Sequence, residues 1–173
     1  MSRRVVFIVA LLAVVLLSGS TAFWLANRNG SLPTKTVIAP VFKRSNADKN
    51  SDAADKLATK GDYNGAIQLL ETYIKGTKDS QELFVYYSHQ ATLFFNHNDL
   101  VNGLIVAQKA YNLNATSDSA AFVGQIALAK GDKALALMYY QKALELTKTS
   151  QDPLAKTDGD YYSSIIASIK AGQ

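Results

Sequence analysis

Two histidines and three regularly placed aspartates are the residues of this chain whose types could support chemistry. His89 and His97 are the only histidines, and the one acid close to them in the sequence is Asp99. Two imidazoles without a third ligand make a poor metal site. The absence of cysteine excludes disulfides, thiolate ligands and cysteine nucleophiles. The sequence also lacks a nucleophile-elbow serine and a phosphate-binding glycine loop. We therefore expect no enzymatic activity, metal or cofactor.

The aspartates Asp62, Asp99 and Asp132 are better explained by local structure than by catalysis. Each occupies the same place in a turn sequence that occurs three times, about one repeat apart. An aspartate just before a helix accepts hydrogen bonds from its first N–H groups and interacts favourably with the helix dipole. We therefore predict that each of the three caps the helix that follows it.

The turns divide the chain into pairs of helices. Gly61, Asn98 and Gly131 mark the three turns and recur at nearly regular intervals. On both sides of each turn, apolar and small residues recur at spacings of three and four, which is helical periodicity. A period of about 34 residues built from helix–turn–helix units is typical of stacked repeats. The sequence therefore predicts an all-α fold of antiparallel helix pairs over residues 47–149.

Small residues recur at matched positions around the turns. Seven residues before the turn they are Ala54, Ala91 and Gly124, and five residues after it they are Ala66, Gly103 and Ala136. A side chain of one carbon or none lets two helix axes approach closely, while larger neighbours fill the flanking gaps. We expect all six residues to face an adjoining helix.

Two segments resemble the tetratricopeptide repeat family. They are the Gly-Asp-Tyr-x-x-Ala turn at Gly61–Ala66 and the Tyr-Tyr-Gln-Lys-Ala-Leu-Glu-Leu run at Tyr139–Leu146. The resemblance covers about 47–149, some three repeats, and the second repeat departs from the pattern at Asn98 and Gly103. It implies an antiparallel helix-pair solenoid that binds other proteins.

In that family the first helix of each unit usually lines a concave groove that binds a peptide. The resemblance therefore implies a candidate groove made of Asp48, Ser51, Asp55, Val85, Ser88, Thr92, Phe95, Asn96, Asp118, Ala121, Gln125 and Leu128. The chaperone-binding branch grips a peptide carboxylate with lysine, asparagine and arginine. The matching positions here are Ser51, Asp55, His89, Asp118 and Phe122, so that clamp is absent. The lining suits an extended or helical segment of moderate polarity.

The last segment of the chain, 150–173, has the pattern of a capping helix. From Asp160 to Ala171, one helical face collects Tyr161, Tyr162, Ile165, Ile166 and Ile169. Stacked repeats need a terminal element with a polar outer face. We predict that this helix closes the stack and that Asp158 or Asp160 caps its first turn.

The uncharged run Val5–Ala26 follows the short charged flank at residues 1–4. Its length is enough to cross a hydrocarbon core of about 30 Å, so we predict a single transmembrane anchor. A cleaved signal peptide is the alternative, which would make the protein secreted. Residues 27–46, with Pro33 and Pro40, read as an extended linker. The signal-like shape favours an extracytoplasmic repeat domain, whereas the cations that flank the run favour the opposite topology.

The positive charge of the chain lies in its amino-terminal arm. Residues 1–46 carry six of the eighteen Lys and Arg residues and none of the fourteen acids, so the remainder is slightly acidic. A nucleic-acid interface would need clustered cations on the folded part, and we expect none. The sequence thus predicts a non-catalytic, membrane-anchored scaffold that binds a protein or peptide at the cell envelope. The alternative is a structural component of an envelope complex that acts as a homo-oligomer.

Overall fold

The computed structural model describes residues 46–172. These residues form seven α-helices and contain no strand. The helices are α1 (Asn46–Thr59), α2 (Tyr63–Gly76), α3 (Ser80–Asn96), α4 (Leu100–Leu113), α5 (Ser117–Ala129), α6 (Lys133–Lys148) and α7 (Ala155–Lys170). The predicted anchor, Val5–Ala26, and nearly all of the linker lie outside the described residues. No helix among residues 46–172 has the length and apolar character needed to span a bilayer.

Helices that follow one another in the chain pack side by side, which gives an all-α, solenoid-like arrangement. Within a pair the helices run antiparallel: Gly103, early in α4, lies against Phe94 and Phe95 at the end of α3. Side-chain contacts also join alternate helices. Asp55 of α1 meets His89 of α3. Further links join Phe95 of α3 to Phe122 of α5, Asp118 of α5 to Tyr162 of α7, and Tyr111 of α4 to Tyr139 of α6.

These links sort the helices into two layers. We call α1, α3, α5 and α7 the first-helix layer, and α2, α4 and α6 the second-helix layer. Helices of both layers carry exposed residues, and the two layers expose different side chains.

The three turns have one geometry, which explains their sequence. Gly61 and Gly131 have φ of +87°, and Asn98 has φ of +61°, all in the left-handed region. Glycine adopts that region without strain, and asparagine tolerates it better than most residues. The next N–H, that of the aspartate, donates back to a carbonyl five residues earlier, as in Asp132 to Ala127 at 2.9 Å. This is the 6→1 bond of a Schellman motif, which closes the preceding helix.

The same aspartates open the following helices, which confirms the capping prediction. Oδ1 of Asp62, Asp99 and Asp132 accepts a backbone N–H from the residue three positions later, at 2.9, 3.2 and 3.0 Å. Each aspartate therefore ends one helix through its backbone and starts the next through its side chain. The two helices of a pair are joined in this way by a very short connection.

Gly131→Ala should lower the free energy of unfolding by about 1–2 kcal/mol, because alanine is strained at a φ of +87°. Asn98→Gly is the matched control, because it places glycine, which adopts a left-handed φ without strain, at the equivalent position of the second turn. The control should leave stability unchanged or raise it by a few tenths of a kcal/mol. Urea unfolding followed by circular dichroism measures the free energy of unfolding of both variants. Equal changes in the two variants would show that the two turns do not share a backbone geometry.

The matched small residues all face an adjoining helix, as predicted. Ala54, Ala66, Ala91 and Ala136 have no exposed surface, and Gly103 and Gly124 are buried. A Cβ atom built on Gly124 would lie only 3.1 Å from the ring of Tyr140. The small side chains thus set how closely the helices of a pair approach.

Helix α7 buries four of the five residues of the predicted apolar face, but it begins earlier than predicted. Tyr162, Ile165, Ile166 and Ile169 are buried against the preceding helices, whereas the opposite side of α7 is polar and exposed.

The prediction that Asp158 or Asp160 caps α7 is wrong. The helix starts at Ala155, and its N-cap, Leu154, makes no side-chain capping bond. Asp152 Oδ1 instead accepts the N–H of Leu154 at 2.8 Å, so the chain turns directly into the helix. Asp160 lies on the exposed side and pairs with Lys156 at 3.0 Å.

Candidate functional site

The face of the first-helix layer is the surface to which the predicted groove residues belong. Its helices are held in register by polar and aromatic contacts. Asn50 Nδ2 of α1 donates to the Tyr86 hydroxyl of α3 at 2.9 Å. Phe95 of α3 meets Phe122 of α5 edge-on, with ring centroids 6.0 Å apart. Residues from three helices therefore contribute to one continuous face.

The predicted groove residues differ in how much of them a partner can reach. Ser51, Val85, Phe95 and Ala121 are buried. Asp48, Asp55, Ser88, Asp118, Gln125 and Leu128 are partly buried, and Thr92 and Asn96 are exposed. The buried residues form the floor beneath the face and pack between helices. A ligand on this face would therefore contact the partly buried and exposed residues, and not the buried ones.

Several polar groups of the face already have hydrogen-bond partners. The Ser88 hydroxyl donates to the Phe84 carbonyl at 2.7 Å, and that of Thr92 donates to the Ser88 carbonyl at 3.0 Å. Asp118 accepts a bond of 3.3 Å from the Tyr162 hydroxyl. Asn96 and Gln125 carry amides that can both donate and accept, and these are the natural groups to pair with a peptide backbone.

The histidines serve packing between helices, through contacts that the sequence did not reveal. His89 Nδ1 lies 3.1 Å from Asp55 Oδ2, which joins α3 to α1. The ring of His97 stacks on that of Tyr63 of α2, with centroids 3.9 Å apart and planes at 26°. Asp99 was the only acid expected near either histidine, because Asp55 and His89 belong to different helix pairs and are far apart in the chain. Within residues 46–172, no cluster of three or more His, Asp or Glu side chains is placed to hold a metal ion.

Three tyrosines have perturbed ionisation, and burial is the first cause in each. Burial raises the pKa of Tyr63, Tyr140 and Tyr162 above the usual value for a phenol. Nearby carboxylates add to the effect, Asp99 for Tyr63 and Asp118 for Tyr162. A phenol is already neutral at physiological pH, and the raised pKa moves its ionisation further from that range. They belong to the packing of the helices.

No protein-family model matches this chain, and no curated protein matches it.

Proposed function

We propose that this protein is a membrane-anchored, tetratricopeptide-like adaptor whose first-helix face binds a segment of another protein. The observation that supports this most directly is the thrice-repeated turn, in which a left-handed residue is followed by a capping aspartate. That turn gives each helix pair the same geometry, and side-chain contacts between successive pairs join α1 to α3 and α3 to α5. A regular face of parallel helices with mixed polar and apolar residues is suited to a helical or extended peptide.

The chemistry of the face indicates what kind of segment it accepts. The charged residues among the predicted groove positions are Asp48, Asp55 and Asp118, and His89 lies against Asp55. No lysine or arginine occupies the predicted groove positions. A ligand carboxylate would thus meet like charge, whereas a neutral or cationic segment would be accepted. We propose a partner segment of moderate polarity that presents its backbone to Asn96 and Gln125.

The membrane part of the proposal comes from the sequence. Val5–Ala26 is long enough to anchor the chain, and residues 27–46 would then hold the repeats near the bilayer. We propose that the repeats lie outside the cytoplasm. A cleaved signal peptide would give a secreted adaptor with the same binding face.

Thr92→Arg combined with Gln125→Arg should weaken partner capture at least about tenfold, because two long cations would obstruct the centre of the face. A photo-crosslinking amino acid at Asn96, in the full chain in living cells, would report capture, and mass spectrometry would identify the partner. The melting temperature should change by no more than a few degrees, since Thr92 is exposed and Gln125 is only partly buried.

The matched control is Gln68→Arg with Gln141→Arg, which places the same charges on exposed positions of the second-helix layer. Equal capture by the test and control variants would exclude the first-helix face as the binding surface. Crosslinks that join two copies of this chain, and no second protein, would favour the alternative of self-assembly in an envelope complex.

A further inference from the structure

The second-helix layer exposes large apolar residues at repeated positions. Val101 and Ile105 of α4 are 57% and 48% exposed, and Met138 of α6 is 40% exposed. Ile105 and Met138 occupy equivalent places, since each comes seven positions after the left-handed residue of its turn, Asn98 or Gly131. Val101 corresponds in the same way to Ala134, which is also exposed. The exposure is therefore a feature of two successive helix pairs and not a single stray side chain.

A lysine follows one turn later in both helices. Lys109 and Lys142 again occupy equivalent places, each four positions after the exposed apolar residue. Lys109 Nζ lies 5.5 Å from the ring centre of Tyr87, and Lys142 Nζ lies 4.7 Å from that of Tyr139. Lys142 is also 5.5 Å from the ring centre of Tyr111 of α4. The contact of Lys142 with Tyr111 and the edge-on packing of Tyr111 against Tyr139 thus join α6 to α4. We call the resulting surface the second-helix patch; it comprises Val101, Ile105, Lys109, Ala134, Met138 and Lys142.

Two exposed lysines give one end of this patch a positive charge, and the capping aspartates Asp99 and Asp132 lie at its other end. Helix α4 contains no acid, and the only acid within α6, Glu145, pairs with Lys148 at 2.7 Å. The first helix pair lacks the pattern altogether: its corresponding residues are Asn64, Gln68 and Thr72, all polar and exposed. Among the three described pairs, the second and third alone combine exposed apolar side chains with an adjacent cation.

We infer that the second-helix patch docks on an anionic lipid surface. Ile105 and Met138 would enter the boundary between headgroups and acyl chains, while Lys109 and Lys142 meet phosphate groups. Lysine suits such a boundary, because it has an apolar stem and a charged tip. The two exposed lysines at one end of the patch favour anionic lipid over an apolar partner protein as its occupant.

This inference rests on the proposed membrane anchor, which would keep the patch at high local concentration near the bilayer. A surface too weak to bind lipid alone can then dock. The first-helix face lies in the other layer and would remain available to its protein partner.

The absence of cysteine permits a direct test in the full chain, reconstituted into vesicles of phosphatidylcholine with or without phosphatidylglycerol. Single nitroxide labels are attached at Ile105→Cys and Met138→Cys, and the matched control is Gln68→Cys at the corresponding position of the first pair. We expect accessibility to a water-soluble nickel chelate to fall several-fold at 105 and 138 in anionic vesicles. The label at 68 should stay accessible, and Lys109→Glu with Lys142→Glu should restore accessibility at 105 and 138.

The lipid inference alone would be overturned by two results together. The vesicles would retain the chain after a carbonate wash, and the labels at 105 and 138 would remain as accessible as the label at 68. Loss of the chain in the wash would contradict the proposed anchor, and the lipid inference with it. A protein would be identified as the occupant instead by two results together. The labels at 105 and 138 would be protected from the nickel chelate only in native envelopes, and crosslinks to a protein would accompany that protection.

Discussion

Tyr162→Ala should lower the free energy of unfolding of the repeats by about 3–5 kcal/mol, as expected for removal of a buried aromatic ring. Tyr162 belongs to α7, is 1% exposed and packs against the third helix pair. Its ring centre is 6.3 Å from that of Tyr140 in α6, and its hydroxyl donates to Asp118 in α5. One side chain thus attaches α7 to both helices of the pair, so its loss affects the whole end of the stack.

A loss of this size is a large share of the about 5–15 kcal/mol that stabilises an ordinary domain. Thermal unfolding of the full chain in mild detergent, followed by far-ultraviolet circular dichroism, would measure it. Tyr162→Phe separates the ring from the hydroxyl and should cost only about 0.5–1.5 kcal/mol. Ser164→Ala, at an exposed site of the same helix, should remain within about 0.5 kcal/mol. If Tyr162→Ala behaved like Ser164→Ala, α7 would not close the stack.

The features that sequence reasoning predicted are those set by local rules. A left-handed residue followed by a capping aspartate can be recognised from two adjacent letters, because the backbone strain and the orphan N–H groups are properties of the turn itself. Small residues at a fixed distance from that turn predict helix contacts for the same reason: the turn fixes the register of the pair. Both Gly124 and Ala54 were placed correctly on this basis.

The features that sequence reasoning missed depend on how separate helix pairs meet. Ser51 is fully buried although it was expected to line the groove, because α3 as well as α2 packs on α1. The contact between Asp55 and His89 likewise crosses from one pair to the next. No local spacing in the sequence encodes the angle between helix pairs. The sequence therefore could not show which of the predicted groove residues are buried and which are exposed.

The beginning of α7 was missed for a different reason. Asp158 and Asp160 have the residue type of an N-cap, but Asp152 and Pro153 turn the chain earlier. Because the helix begins at Ala155, the large apolar residues that form its buried face start only in the second turn of the helix. Residue type alone does not distinguish a cap from a first-turn acid, because both are favoured at a helix N-terminus.

Gly124→Leu should be about as damaging as the loss of Tyr162, and it tests the packing on which both exposed faces depend. The added side chain would start 3.1 Å from the Tyr140 ring, which is itself 4% exposed and has little room to move. Overfilling a packed core typically costs about 1–3 kcal/mol, and we expect the upper end here because helices α5 and α6 would have to separate. Gly124→Ala should be close to neutral, since a helix propensity gain of about 1 kcal/mol offsets a slight shift of the ring.

Ala134→Leu is the matched control for Gly124→Leu, because it adds a similar side chain at an exposed position of α6 and should change stability by less than about 0.5 kcal/mol. Combining Gly124→Leu with Tyr140→Ala should recover part of the loss, as the leucine then occupies the space of the ring. Chemical unfolding of the wild type, the two single variants and the double variant gives this coupling energy directly. Strict additivity of the two substitutions would mean that Gly124 and Tyr140 are not in contact, and the close approach of helices within a pair would have to be abandoned.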